Sequence, residues 1–177
     1  MDTSVAAIPL RGLVLLPGGL RALTIGRATT IKAVEHHLAN HSPILAVPQV
    51  DPAQESVTVA EMSSVGVLAQ ITRATRLPEG TLQVLIEGLE RVGVVGPLRI
   101  EDDMTVATVT PMPEVEHDAI QVAALTQELS KLYHKLLTES GMADQDAKVL
   151  TTGPTEPDRL IHQLSSQLDI TWTERLA

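Results

Sequence analysis

Residues 65–87 read VGVLAQITRATRLPEGTLQVLIE, and this stretch decides the fold class. It contains two β-rich runs, residues 65–77 and 81–87, which flank the triplet Pro78-Glu79-Gly80. Proline presets the backbone of a turn and glycine tolerates a positive φ, so the triplet predicts a tight turn between paired strands. The stretch therefore predicts a β-hairpin.

Further short strands are predicted on both sides of the hairpin. Gly/Pro turns separate them, as in Pro17-Gly18-Gly19. Pro48 predicts an edge or bulged strand, because proline cannot donate to a sheet ladder. Residues 51–63 are polar without a clear period and predict a mobile loop. The remaining strands are predicted at residues 5–10, 13–16, 20–25, 44–50, 88–95 and 104–110.

One helix interrupts these strands at residues 28–40, where apolar side chains recur at helical spacing. Thr29 or Thr30 is its predicted N-cap, and Asn40 its predicted end. The predicted inward positions are Ile31, Val34 and Leu38. Seven or so short strands with a single helix predict a closed or nearly closed β-barrel.

The pattern changes after Pro111-Met112-Pro113, since neither proline can donate to a ladder. From residue 117 an apolar seam at intervals of three and four predicts a helix that ends at Gly141. Further helices are predicted over 144–150, from 157 and from 171, the last one cut short where the sequence ends. The predicted class is α+β, with a barrel-like domain over 1–112 and a helical subdomain over 113–177. The seam consists of Val122, Leu125, Leu129, Leu132 and Leu136.

The amino-acid composition excludes several classes of function. The chain has 177 residues, no Cys, one Trp, one Tyr and no Phe, which excludes disulfides, thiol nucleophiles and Cys-ligated zinc. A net charge of −9, all of it arising in residues 101–177, and the scarcity of stacking aromatics argue against nucleic-acid binding. No apolar run is long enough to span a membrane and no signal peptide is present, so we expect a cytoplasmic protein.

Catalytic and metal motifs are absent from the sequence. It has neither the G-x-x-x-x-G-K-[ST] phosphate loop nor a G-x-S-x-G elbow, and Ser130-Lys131 are neighbours that face different directions on a helix. The cluster His36-His37…His41 lacks the three or four ligands that zinc needs, so a solvated helix end is expected. The acidic run 101–103 predicts a solvated turn rather than a carboxylate pair. We therefore expect no catalytic residue, no metal and no cofactor.

Six motifs occur in a fixed order along the chain. They are residues 8–18 (IPLRGLVLLPG), 25–27 (IGR), 44–51 (ILAVPQVD), 65–67 (VGV), 77–81 (LPEGT) and 87–92 (EGLERV). Together they resemble the N-terminal, substrate-binding (LON/PUA-like) domain of the ATP-dependent protease Lon, strongly over 8–95 and more loosely to 177. Leu16 departs from the aromatic residue that this family commonly has before the Pro-Gly turn.

The resemblance implies a non-catalytic recognition and assembly domain in protein quality control. Its expected partners are unfolded or degron-bearing proteins and other Lon subunits of a hexamer. The family's ATPase module and Ser-Lys peptidase module are not in this sequence, so the ATP-dependent serine endopeptidase would be the parent protein. The alternative is a free-standing adaptor of the same fold. A reading frame that continues past Ala177 into a phosphate loop would exclude that alternative.

Apolar residues beside turns are the candidate substrate contacts, because turns normally carry polar residues and unfolded chains expose apolar ones. Core packing is the alternative explanation for them. The candidates are Leu15, Leu16, Pro17, Leu20, Leu77 and Pro78. Structural roles are expected for four glycines at turns or close backbone approaches and for three charged residues that brace the barrel's ends. These are Gly18, Gly66, Gly80, Gly88, Arg27, Glu90 and Arg91.

Overall fold

A computed structural model describes residues 2–51, 53, 61–112, 118–141, 143, 161 and 165. The described residues up to Met112 belong to one compact unit, and those from Asp118 onward belong to a second. The elements in chain order are β1 (Thr3–Leu10), β2 (Leu20–Ile25), α1 (Ala28–Asn40), β3 (Ile44–Pro48), β4 (Val65–Arg76), β5 (Leu82–Glu101), β6 (Met104–Pro111) and α2 (Ala119–Glu139).

The six strands form one sheet that closes on itself. Its order is β2-β5-β4-β3-β1-β6, and β6 pairs with β5 as well as with β1. Closure is possible because β5 is 20 residues long: its first half pairs with β2 and β4, and its second half reaches β6. The strands β5, β4, β3, β1 and β6 therefore make the predicted barrel, and β2 is added at one edge of β5.

The hairpin at residues 65–87 forms as predicted, but two neighbouring strands differ. Residues 88–95 are not a separate strand, because β5 continues through Gly88 and absorbs one extra residue in a bulge opposite Leu68 and Ala69. Residues 13–16 form no strand. Gly12 and Gly18, both at positive φ, turn the chain on either side of this segment, and Pro17 forms an isolated bridge with Gly88 of β5.

Strand β3 lies at the centre of the sheet rather than at its edge. It pairs in parallel with β1 and antiparallel with β4, and all five of its residues are buried. Pro48 is tolerated because it is the last residue of the strand, and the next amide, of Gln49, donates to the carbonyl of Leu10 at 2.8 Å. Most of the loop predicted over 51–63 lies outside the described residues, although Met62 bridges to Gln49.

Helix α1 has the predicted bounds but a different cap, and its inner face includes the predicted Val34 and Ile31 but not Leu38. Its N-cap residue is Arg27, whose side chain makes no cap hydrogen bond, so the predicted Thr29 or Thr30 cap is wrong. The Thr29 hydroxyl instead accepts a hydrogen bond from the Thr105 hydroxyl at 3.0 Å. The helix packs on the sheet through a stripe shifted away from Leu38, which is 39% exposed. The buried residues of α1 are Thr30, Ala33, Val34 and His37.

The more buried stripe of helix α2 shares only Val122 and Leu129 with the predicted seam. Of that seam, Leu125, Leu132 and Leu136 are exposed, and the most buried side chain of the helix is Tyr133. Tyr133 packs with Leu129 and Leu137. The helices predicted over 144–150, from 157 and from 171 lie outside the described residues. Asp118 caps α2 by accepting from the amide of Ile120 at 2.9 Å.

Candidate functional site

The predicted substrate contacts differ widely in exposure. Leu20 is 49% exposed, whereas Leu15 is 3% exposed and belongs to the core cluster, so Leu15 cannot meet a partner at the surface. The reason is that the 13–16 segment folds inward between its two glycine turns. The remaining candidates are half-buried (Leu16, Pro17, Leu77) or exposed (Pro78).

The two apolar turns lie at opposite ends of β2. Leu20 pairs with Glu87, while Ile25 pairs with Leu82, directly after the 77–81 turn. A strand advances about 3.3 Å per residue, so the five steps from Leu20 to Ile25 separate the turns by roughly 17 Å. The turns therefore do not form one site.

Close backbone packing at Gly88 fixes the turn that carries Leu16 and Leu20. The Gly88 carbonyl accepts from the amide of Gly18 at 2.8 Å, and the Gly88 amide donates to the carbonyl of Gly19 at 2.9 Å. A Cβ on Gly88 would overlap the carbonyl oxygen of Leu16.

The other glycines with a predicted structural role are constrained in two different ways. A Cβ on Gly66 would lie 2.7 Å from Leu45 Cδ1, whereas Gly18 and Gly80 have open space but positive φ values of 69° and 89°. The three predicted bracing residues also differ among themselves. Glu90 and Arg91 are exposed on β5 and form no ion pair among the described residues, whereas Arg27 begins α1.

A cleft of about 360 Å³ opens where the end of β1, the end of β2 and the start of α1 meet. Its walls are apolar, with Ile8 and Leu10 from β1 and Leu23 from β2 among them. The sequence reasoning missed this cleft because its residues come from three separate segments that only the fold brings together. The one local signal was Gly26-Arg27 directly before the helix.

The charged side chains among the described lining residues of the cleft are both basic. Of the described residues, Arg11 and Arg27 both line the cleft and no acidic residue does. Both residues also take part in an interaction within the protein. The N-terminus of α1, the positive end of the helix dipole, lies at the same place. Thr30 also lines the cleft, is 3% exposed, and has no hydrogen-bond partner for its Oγ1.

These residues can bind but have no means of acid–base chemistry. Among the described residues, no His, Asp, Glu or Lys lines the cleft, so none of them is a general base beside the Thr30 hydroxyl. The geometry therefore suits an anionic ligand with an apolar part.

The histidine cluster does not form a metal site. His37 is buried, contrary to the solvated position expected, and both of its ring nitrogens are used: Nε2 accepts from the amide of Ile71 at 3.0 Å, and Nδ1 donates to the carbonyl of Ser42. His36 is exposed and interacts with Asn40. Within the described ranges, no three His, Cys, Asp or Glu side chains are grouped as a metal would require.

The acidic run 101–103 is the exposed turn between β5 and β6, as expected, with Asp102 and Asp103 both at positive φ. Lys32 hydrogen-bonds Asp103 at 2.8 Å and so lowers the pKa of that carboxyl. The turn is part of the surface rather than of the cleft. Among the helices in the described part of the chain, none is both long and apolar enough to cross a membrane.

Comparisons with known proteins identify the family. A family model described as the ATP-dependent protease La (LON) substrate-binding domain matches residues 4–177. The Lon protease of Brevibacillus choshinensis is 28% identical over 163 residues, 92% of this chain and 21% of that protein. The Lon protease of Bacillus thuringiensis (strain Al Hakam) is 30% identical over 166 residues, 94% of this chain and 21% of that protein. The chain thus spans about a fifth of the length of these relatives.

A solved structure shares the fold. The N-terminal domain of Mycobacterium avium complex Lon protease superposes with a TM-score of 0.77 at 20% identity, covering 98% of this chain and 88% of that one. The match of the family model to residues 4–177 covers both described units, the barrel and the α2 region. The chain therefore belongs to the family of LON substrate-binding domains.

Proposed function

We propose that this chain is the recognition domain of a Lon-type ATP-dependent protease and that it binds unfolded or degron-bearing polypeptides without cleaving them. The observation that carries the proposal is the match of the substrate-binding family over residues 4–177. The site is consistent with it, because apolar side chains and two arginines line the cleft.

The wider setting of the domain belongs to the same proposal. The parent protein would be a hexameric serine endopeptidase of the cytoplasm, with this domain over its entrance and residues 113–177 forming a helical subdomain. Membranes and nucleic acids would not be partners. The support for excluding nucleic acids is the net charge of −9, which opposes binding to phosphate backbones.

Leu20 is the strongest candidate among the apolar surface contacts, since it is half exposed beside a Pro-Gly turn. Burying one such side chain against a partner contributes about 1.5–3 kcal/mol. Two or three of them, after the cost of association, give only micromolar to millimolar affinity. Weak binding suits a machine that must release its substrate, and several copies around a ring would add avidity.

The test is a titration of a permanently unfolded, fluorescently labelled protein against wild type, Leu20→Ser and Leu77→Ser. The two turns are tested separately because β2 holds them apart. Leu38→Ser on α1 is the matched control, since Leu38 is 39% exposed against 49% for Leu20. We expect Leu20→Ser to weaken binding several-fold and Leu38→Ser to leave it unchanged. Equal affinity of wild type and both turn variants would place the contact elsewhere, and absence of binding would refute the proposal.

A further inference from the structure

We propose that the cleft at the start of α1 binds the C-terminal carboxylate of a polypeptide whose last side chain is apolar. This inference rests on the proposed substrate-binding function and names the class of substrate. It assigns the recognition of chain ends to a site distinct from the apolar turn at Leu20.

The start of α1 offers donors to an anion. The amides of Thr30 and Ile31 both donate to the carbonyl of Arg27, at 3.0 and 2.9 Å, so the earlier amides of Ala28 and Thr29 precede the first helical bonds. The helix dipole adds positive potential at this end. A carboxylate here would meet backbone N–H groups and cationic side chains together.

The Thr30 hydroxyl is an independent sign of a missing ligand. Thr30 lines the cleft, is 3% exposed, and its Oγ1 has no hydrogen-bond partner. Most buried polar atoms in folded proteins are hydrogen-bonded, because leaving one unpaired is costly. A carboxylate oxygen that enters the cleft would accept this hydrogen bond and complete the site.

The two arginines set the charge preference. Arg11 and Arg27 line the cleft, and the other described residues of its lining carry no negative charge. Both residues have an interaction within the protein, and a guanidinium carries five donors, so each can keep that interaction and still bind a carboxylate. The whole chain carries a net charge of −9, which opposes a polyanion more strongly than a single carboxylate.

The remaining surfaces suit the end of a peptide. The cleft holds about 360 Å³ between the apolar side chains of Ile8, Leu10 and Leu23, enough for an aliphatic last residue. Strand β2, which lines one wall, pairs with β5 on one side and with no second strand among the described residues on the other. An extended peptide can add to such an edge through its main chain.

The experiment compares one eight-residue labelled peptide ending in Ala-Leu, prepared with a free carboxylate and with a C-terminal amide, by fluorescence anisotropy on the whole chain. We expect the amide to bind about tenfold or more weakly, the usual effect of losing a hydrogen-bonded charge. Arg27→Gln should weaken only the free-acid peptide, to the level of the amide. Thr30→Val should weaken it about threefold or more while leaving the melting temperature unchanged or higher, because the hydroxyl has no partner to lose.

Arg73→Gln is the matched control, since it removes the same charge from an exposed position on β4 outside the cleft. Arg73→Gln should change the affinity for neither the free-acid peptide nor the amide peptide. Equal binding of the free-acid and amide peptides would overturn the inference. The proposed function would still stand in that case if the titration with unfolded protein shows binding that Leu20→Ser weakens. Binding of inorganic phosphate at constant ionic strength, with no preference for the free-acid peptide, would also overturn it.

Discussion

Replacing Gly88 by alanine should remove the apolar turn from the sheet. The alanine Cβ would overlap the carbonyl oxygen of Leu16, lie 3.0 Å from its carbonyl carbon, and lie 3.1 Å from Val67 Cγ1. Neither neighbour is the end of a flexible side chain that could turn away without cost, since one is backbone and the other is a buried valine. The 16–19 backbone must therefore move off β5.

The size of the loss follows from what this movement breaks. Two hydrogen bonds join Gly88 to Gly18 and Gly19, and each contributes about 1 kcal/mol. Leu15, 3% exposed, would lose part of the roughly 1.5–3 kcal/mol that its burial contributes. We expect Gly88→Ala to lower the free energy of unfolding by about 3–4 kcal/mol. For a chain of this size that corresponds to roughly 6–16 °C in melting temperature.

Urea and thermal unfolding followed by circular dichroism measure this loss. Gly26→Ala is the matched control, because its Cβ would meet only Thr81 Cγ2, at an ordinary 3.6 Å, and its φ lies outside the left-handed region. We expect the control to change stability by less than about 1 kcal/mol. If Gly88→Ala cost no more than the control, the turn would not depend on close packing at Gly88.

Three further predictions concern single contacts and activity. His37→Leu should destabilise the fold by about 1–3 kcal/mol in urea unfolding, because the buried amide of Ile71 loses its acceptor, whereas His36→Leu at an exposed position should cost less. Lys32→Gln should raise the pKa of Asp103 toward its usual 3.8 in a carbon NMR titration. Because this pKa is lowered in the folded chain, the ion pair stabilises the fold at neutral pH, and this stabilisation is lost as the pH falls through the pKa of the folded state. The purified chain should hydrolyse neither ATP nor casein above a mock-purified control, and activity that survives repurification would contradict this.

The sequence predicted the secondary-structure elements that depend on residues close together in the chain. The hairpin at 65–87 follows from turn chemistry, and α1 ends at Asn40, whose side chain donates to the carbonyl of His36 at 2.9 Å. The central position of β3 could not be read in this way. Pro48 is compatible with either an edge strand or the last residue of a central strand, and only the pairing with both neighbours decides between them.

Tertiary contacts decided the features that were missed. The predicted seam of α2 and its buried stripe both follow helical spacing, so the sequence did not distinguish Leu132 from Tyr133 as the buried residue. The cleft depends on β1, β2 and α1 meeting, and its most informative atom, the Thr30 hydroxyl, was predicted to be a cap. A threonine at a helix start predicts capping by local chemistry, but the N-cap of α1 is Arg27.

Strand β2 links the two candidate surfaces, because Leu20 begins it and Ile25, beside the cleft, ends it. A peptide whose carboxylate lies at the start of α1 and whose chain runs along β2 would reach Leu20 after roughly 17 Å, about five extended residues. Peptide length should therefore decide whether Leu20 contributes. With free-acid peptides that share the same terminal leucine, Leu20→Ser should weaken an eight-residue peptide several-fold and leave a three-residue peptide unchanged. If Leu20→Ser weakened both peptides by the same factor, the two surfaces would not be joined along β2.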